Sequence, residues 1–249
     1  MNLCTDQLAM LLADPGQLVS VSRIATDPRS SAMVAQASTY PANSGLAEEV
    51  FVMRPDLVVA GSYTARASVD MLERLGIRVV RFAPANTLEE VADRLLQMGE
   101  ALGHPARAQR MVARYRARLD AYRSAKAERP RAALYYANGY TSGDKTLAGE
   151  VLTAAGLNNI ATDNGFSGGG VMPLEVLALS DPDAVITSDA YPGASRAEEI
   201  QRHPVVEILQ HDSLGAAMTD SDWVCGTPFI LRAIDDMVAL RLTLQSRDR

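Results

Sequence analysis

Residues Pro105–Glu128, PARAQRMVARYRARLDAYRSAKAE, decide the architecture. A proline suits the first turn of a helix, where its missing N–H would have no partner anyway. No glycine or proline then interrupts the pattern before Pro130. Met111, Tyr115, Leu119 and Tyr122 recur at three- and four-residue intervals, the period of one helix face. At about 1.5 Å rise per residue the segment would be about 35 Å long. A helix of that length near the middle of a chain joins two lobes. Its cations, from Arg107, Arg110, Arg114, Arg116 and Arg118 to Arg123 and Lys126, read as a solvated face.

On either side of that helix, short apolar runs alternate with helical patterns. Leu18–Val21, Leu57–Ala60, Val79–Phe82, Ala132–Tyr136 and Ala184–Thr187 have the character of buried parallel strands. Helical spacing runs through Leu46–Met53, Ala67–Leu75, Leu88–Leu102, Gly149–Ala155, Leu174–Leu179 and Pro228–Leu244. Such alternation predicts an α/β fold with parallel sheets. The two halves also echo each other. Glu48 opens a short helix, Pro55-Asp56 follows, and then the strand Leu57–Ala60. Glu175 opens another, followed by Pro182-Asp183 and the strand Ala184–Thr187. A tyrosine comes after each strand, Tyr63 and Tyr191. The copies lie 127 residues apart, which is a duplicated lobe rather than a solenoid repeat of about 20–50 residues.

Composition narrows the function. The 249 residues are 47% hydrophobic and 22% charged with a formal net charge of −6, an ordinary globular balance of the wrong sign for a general grip on nucleic acid. No run approaches the roughly 18 apolar residues of a membrane span. Two cysteines without CxxC or HExxH spacing give no dedicated zinc site. The opening MNLCTDQLAMLLADPG has no basic start, and Asp6 breaks its apolar stretch, so it does not read as a signal peptide. It reads as a first helix with Thr5 or Asp6 as N-cap, stopped by Pro15-Gly16.

Several motifs carry chemistry only in the right context. Gly165-Phe166-Ser167-Gly168-Gly169 fits the G-x-S-x-G nucleophile elbow, and Asp189 and His203 or His211 follow in hydrolase order. The elbow needs a strand directly before and a helix directly after. Asn158–Asn164 is a poor strand, so a plain glycine-rich loop is the simpler reading. Gly139–Thr146 has a P-loop flavour, but Asp144 stands before Lys145 and would repel phosphate. His104, His203 and His211 are scattered and read as surface histidines, and the methionines read as core filler.

The order of these segments resembles the ABC-importer solute-binding proteins for cobalamin, ferric siderophores or haem. The resemblance rests on Asn2-Leu3-Cys4-Thr5-Asp6-Gln7-Leu8, Leu18–Ser22, Leu75-Gly76-Ile77-Arg78-Val79-Val80, the two Glu…Pro-Asp…strand units, and Ser221-Asp222-Trp223. It implies two Rossmann-like lobes with parallel sheets, residues 1–104 and 129–249, joined by one long helix over 105–128. The ligand, an iron–siderophore, haem or cobalamin, would lie in the cleft between the lobes. It implies a monomer with no catalytic activity, no cofactor and no resident metal, working in the periplasm beside an inner-membrane permease dimer. Export would mean a leader removed from this chain. A strand usual before the Leu-Cys segment is absent, so the first lobe is expected to lack its first strand.

Carried over by position, Glu48 and Glu175 match the glutamates that dock on permease arginines. Cys4, Tyr40, Tyr63, Arg66, Tyr140, Tyr191, Trp223 and Cys225 are the ligand-contacting candidates, with Arg23 and Arg29 as further partners for ligand carboxylates. The resemblance puts Cys4 and Cys225 on opposite lobes facing one cleft, as free thiols, a disulfide or soft ligands. A cleft wide enough for a chelate strains the roughly 7 Å limit between bridged Cα atoms, which favours free or ligand-contacting thiols. The rival readings are a serine hydrolase built on Ser167 and a two-lobe protein binding a small polar ligand.

Overall fold

A computed structural model describes residues 1–123, 129–188, 196–212, 214–218 and 220–247. The chain forms two compact units. The first is Met1–Ala85, Glu89–Arg116 and Val224–Pro228; the second is Asn86–Leu88, Ala117–Trp223 and Phe229–Arg249.

The first unit opens with α1 (Leu3–Leu12), and the N-cap is Asn2. Its side-chain oxygen accepts from the amides of Cys4 (2.9 Å) and Thr5 (3.4 Å), satisfying donors of the first turn. The expected caps lie one turn too late. Thr5 instead donates its hydroxyl back to the Asn2 carbonyl (2.9 Å). The buried Asp6 carboxylate accepts the Ser22 amide (2.7 Å) and the Ser22 hydroxyl, which ties the helix to β1 (Val21–Ser22). The rest of Leu18–Val21 lies outside the ladder, so that predicted strand shrinks to its last residue and the next one. After α2 (Val34–Ala37), β2 (Ala42–Asn43) pairs parallel with β1. Then come α3 (Ala47–Val52), β3 (Leu57–Gly61), α4 (Arg66–Arg74) and β4 (Arg78–Phe82). β3 and β4 pair in parallel from Leu57 opposite Arg78 to Gly61 opposite Phe82. The two ladders remain separate, and Leu18–Ser20 and Leu57–Val59 line one cavity of about 300 Å³.

α5 (Leu88–Leu102) and α6 (Pro105–Arg123) follow. α6 contributes to both units, through Pro105–Arg116 and from Ala117 onward. Its arginines are more than a solvated face. In the first unit Arg107 donates to the terminal carbonyls of α1, Leu12 (2.6 Å) and Ala13 (3.1 Å), and to Asp14 (2.5 Å). Arg116 pairs with Glu89. In the second unit Arg118 and Tyr122 both bind Asp235, at 3.1 and 2.6 Å.

The second unit continues with β5 (Arg131–Leu134), β6 (Tyr140–Thr141), α7 (Leu147–Ala154), β7 (Asn158–Asn159), α8 (Ile160–Asp163) and β8 (Gly170–Val171). Next are α9 (Leu174–Leu179), β9 (Ala184–Ser188), α10 (Pro204–Asp212), β10 (Leu214–Met218), α11 (Asp220–Trp223) and α12 (Ile230–Arg247). Four strands form a parallel sheet in the order β10-β9-β5-β7. Ala132–Leu134 and Ala184–Ile186 are fully buried, which is why these strands read as unbroken apolar runs rather than alternating ones. β6 and β8, absent from the sequence expectations, form a small antiparallel pair.

The internal repeat extends to the backbone. Arg54 (φ 51°) and Asp181 (φ 47°) occupy matched places directly after the capping residues of α3 and α9, each just before Pro-Asp. Left-handed backbone is usual at that place in a helix end but is normally left to glycine. Two non-glycine residues sharing it at equivalent positions mark the halves as copies of one design. Among the described residues no helix is long and apolar enough to cross a membrane.

Candidate functional site

In the first unit, the carboxyl ends of β3 and β4 border a cavity of about 240 Å³. Open parallel sheets present ligands at that end, because the loops there diverge and expose backbone groups. Cys4, Gly61, Ser62, Tyr63, Pro84 and Arg94 are among its lining residues. Tyr63 is 87% exposed, in the turn after β3. Arg94 reaches the cavity from α5 with Gln97 as its hydrogen-bond partner (3.1 Å). It was not legible in the sequence, where it is one more polar position on an amphipathic helix.

Cys4 and Cys225 are bonded to each other, with Cα atoms 5.0 Å apart. This corrects the free-thiol expectation, and the reason is topological. Val224–Pro228 belongs to the first unit although the flanking Trp223 and Phe229 belong to the second. The two cysteines are therefore not on opposite lobes. Cys225 sits in the apolar cluster of Leu3, Met10, Val21, Ala25 and Ala37. Tyr40 packs against the same cluster.

In the second unit, β5 ends at Leu134 rather than at Tyr136, and Tyr136 lies just past its carboxyl end. Its ring stacks on Trp223 with centroids 5.7 Å apart and planes 12° from parallel. Trp223 is half-buried, and its buried indole N–H has no acceptor among the described residues. Offset stacking of this kind holds both rings in place. Tyr140 is exposed on β6, and its carbonyl accepts from the Tyr136 amide (2.8 Å). Gly169 (φ 91°) leaves room for the Tyr140 hydroxyl, which a Cβ there would meet at 2.8 Å. Beside Trp223, burial pushes the Asp222 carboxyl above its usual range, and Arg232, 3.4 Å away, pulls it part of the way back.

The remaining candidates are dispersed. Arg66 pairs with Asp70 along the exposed face of α4 (3.5 Å), and Arg29 pairs with Asp27 (3.5 Å). Arg23 is exposed. Glu48 and Glu175 are exposed on α3 and α9. Tyr191 and Asp189 lie outside the described residues. Ser167 has no elbow: α8 precedes its loop, and α9 begins only at Leu174. Among the described residues no group of three His, Cys, Asp or Glu is placed to hold a metal ion.

Two α/β units, with loops and aromatic side chains gathered at the carboxyl ends of parallel strands and no nucleophile elbow, define the class of two-lobe α/β binding proteins. The chain belongs to the periplasmic binding protein family, whose model matches residues 1–210. Proteins of this family are non-enzymatic transport components. It is 32% identical over 182 residues to a cobalamin-binding protein of Halobacterium salinarum, covering 71% of this chain and 49% of that one. It is 31% identical over 177 residues to a vitamin B12-binding protein of Salmonella typhimurium, covering 68% of this chain and 64% of the other. The chain thus spans about half the length of the Halobacterium relative. Among solved structures, a periplasmic heme-binding protein from Roseiflexus sp. RS-1 aligns with a TM-score of 0.78 at 19% identity, covering 98% of this chain and 96% of that one. The periplasmic vitamin B12-binding protein of Vibrio cholerae aligns with a TM-score of 0.71 at 19% identity, covering 98% and 96%. At those identities the structural likeness is one of fold.

Proposed function

We propose that this protein is the solute-binding component of an ABC importer, that it captures a metal chelate, and that it delivers the chelate to a permease dimer in the inner membrane. The observation that carries the ligand class is the Tyr136–Trp223 stack at the carboxyl end of β5. The half-buried Trp223 ring, backed by the buried Tyr136 ring, supplies an aromatic platform suited to a large, planar, amphipathic ligand. A cobalamin-type corrinoid comes first, since the relatives at 31–32% identity carry that name; haem and ferric siderophores come next. Tyr140, exposed on β6 of the same unit, supplies further contact. Glu48 and Glu175 dock on permease arginines, where exposed charge sets orientation and association rate more than affinity. The protein works as a monomer outside the cytoplasmic membrane, and the disulfide suits an oxidising compartment.

Trp223 is the sole tryptophan, so its fluorescence reports the site directly. Titration with cyanocobalamin, haemin and ferrichrome should give saturable quenching at micromolar or lower concentration with at least one of them. Tyr136→Ala should weaken that binding about tenfold or more, for the loss of an aromatic platform. Absence of binding to all three would overturn the reading. Binding of a small polar solute instead would favour its rival.

A further inference from the structure

Each unit presents a glutamate and an aliphatic side chain, four residues apart, on its repeated short helix. On α3, Glu48 is exposed, and Val52, four residues on, is 78% exposed. On α9, Glu175 is exposed, and Leu179, again four residues on, is 87% exposed. Side chains four apart on a helix share a face and lie about 6 Å apart. The opposite faces are already committed, since Ala47 and Val50 of α3 and Leu177 of α9 are buried.

A single exposed aliphatic residue on a protein surface is ordinary. The same slot filled twice is not, and among the described apolar side chains only Tyr63 is exposed to a similar degree. The carboxylates are equally uncommitted. Neighbouring Glu49 is taken up by the Ser44 amide at 2.7 Å, whereas Glu48 and Glu175 form no hydrogen bond or ion pair among the described residues. The left-handed Arg54 and Asp181 end both helices at the same register, so the last helical residue is turned outward in each.

We infer that Val52 and Leu179 are docking knobs for the permease: each unit meets it with a carboxylate for a cation and, one helical turn away, an aliphatic side chain for an apolar hollow beside that cation. The inference rests on the importer reading above and divides the work within it. The charges govern association and its dependence on salt. The aliphatic side chains, once buried, slow dissociation without regard to salt.

The test uses the full-length protein and its importer's permease–ATPase complex in proteoliposomes, with binding kinetics measured at low and high salt. E48Q/E175Q should slow association and flatten its salt dependence. V52S/L179S should speed dissociation tenfold or more, leave the salt dependence in place, and leave the melting temperature unchanged because both side chains are exposed. V52I/L179M should stay within about twofold of the parent protein. If the glutamate pair matters and V52S/L179S dissociates like the parent, the knobs are refuted while the importer reading stands. If neither pair changes binding, both fall. Concentration-dependent self-association in sedimentation velocity that V52S/L179S abolishes would overturn the inference in favour of a second copy of this chain.

Discussion

Cys4 and Cys225, 221 residues apart in the chain, are bonded inside the first unit. The bond fastens Val224–Pro228 to α1, immediately after the chain leaves Trp223 in the second unit. In a chain-entropy view, closing a loop of that length stabilises the fold by up to about 5 kcal/mol. The oxidised protein, unfolded in denaturant without reductant, should titrate no thiols, and two after reduction. Reduction, or C4A/C225A, should lower the melting temperature. Two thiols titrating before reduction would refute the bridge.

Arg107 holds the end of α1. Its guanidinium donates to the Leu12 and Ala13 carbonyls, which no helical amide satisfies, and to the Asp14 carboxylate. The Asp14 carboxyl is correspondingly held below its usual range, chiefly by that hydrogen bond. Arg107→Ala should lower the stability modestly, since a charged hydrogen bond at an exposed site is discounted by solvent. Arg107→Lys should recover only part of it, because an ammonium group cannot span both sets of acceptors. Urea unfolding of the three proteins checks the order, and an alanine variant as stable as the parent would contradict it.

Gly149 lies inside α7, where alanine would ordinarily be favoured by about 1 kcal/mol. A Cβ there would sit 1.9 Å from the Gly143 carbonyl oxygen. The loop before α7 therefore needs a bare backbone to pass. Gly149→Ala should destabilise by about 2 kcal/mol or more, against its helix propensity. Denaturant melts giving equal or higher stability would show that the approach is not required.

Asp222 predicts a pH dependence. Its carboxyl is raised by burial, so the folded state binds the proton more tightly than the unfolded chain. That favours the native state at low pH, and the advantage is lost as pH rises through the carboxylate range, from about 4 upward. Asp222→Asn removes the dependence. The melting temperature of the variant relative to the parent should rise between pH 4 and pH 7, and a constant difference would refute the assignment.

What the sequence determined is what local periodicity carries. Leu88–Leu102 and Leu174–Leu179 fold as helices with the predicted bounds. The parallel strands declare themselves because burial on both faces demands apolar residues throughout. The Glu…Pro-Asp repeat is legible because both copies keep the same helix-ending chemistry. Tertiary structure alone decided the rest, since those features depend on pairings between residues far apart in the chain. Arg107 became a cap only because α6 passes the end of α1. Arg94 became a cavity residue only because α5 lies by the ends of β3 and β4. Tyr136 looked like one more strand residue until Leu134 ended β5 and left its ring free to meet Trp223. No periodicity announces that five residues near position 225 return to the first unit, yet that return is what brings Cys225 within bonding distance of Cys4.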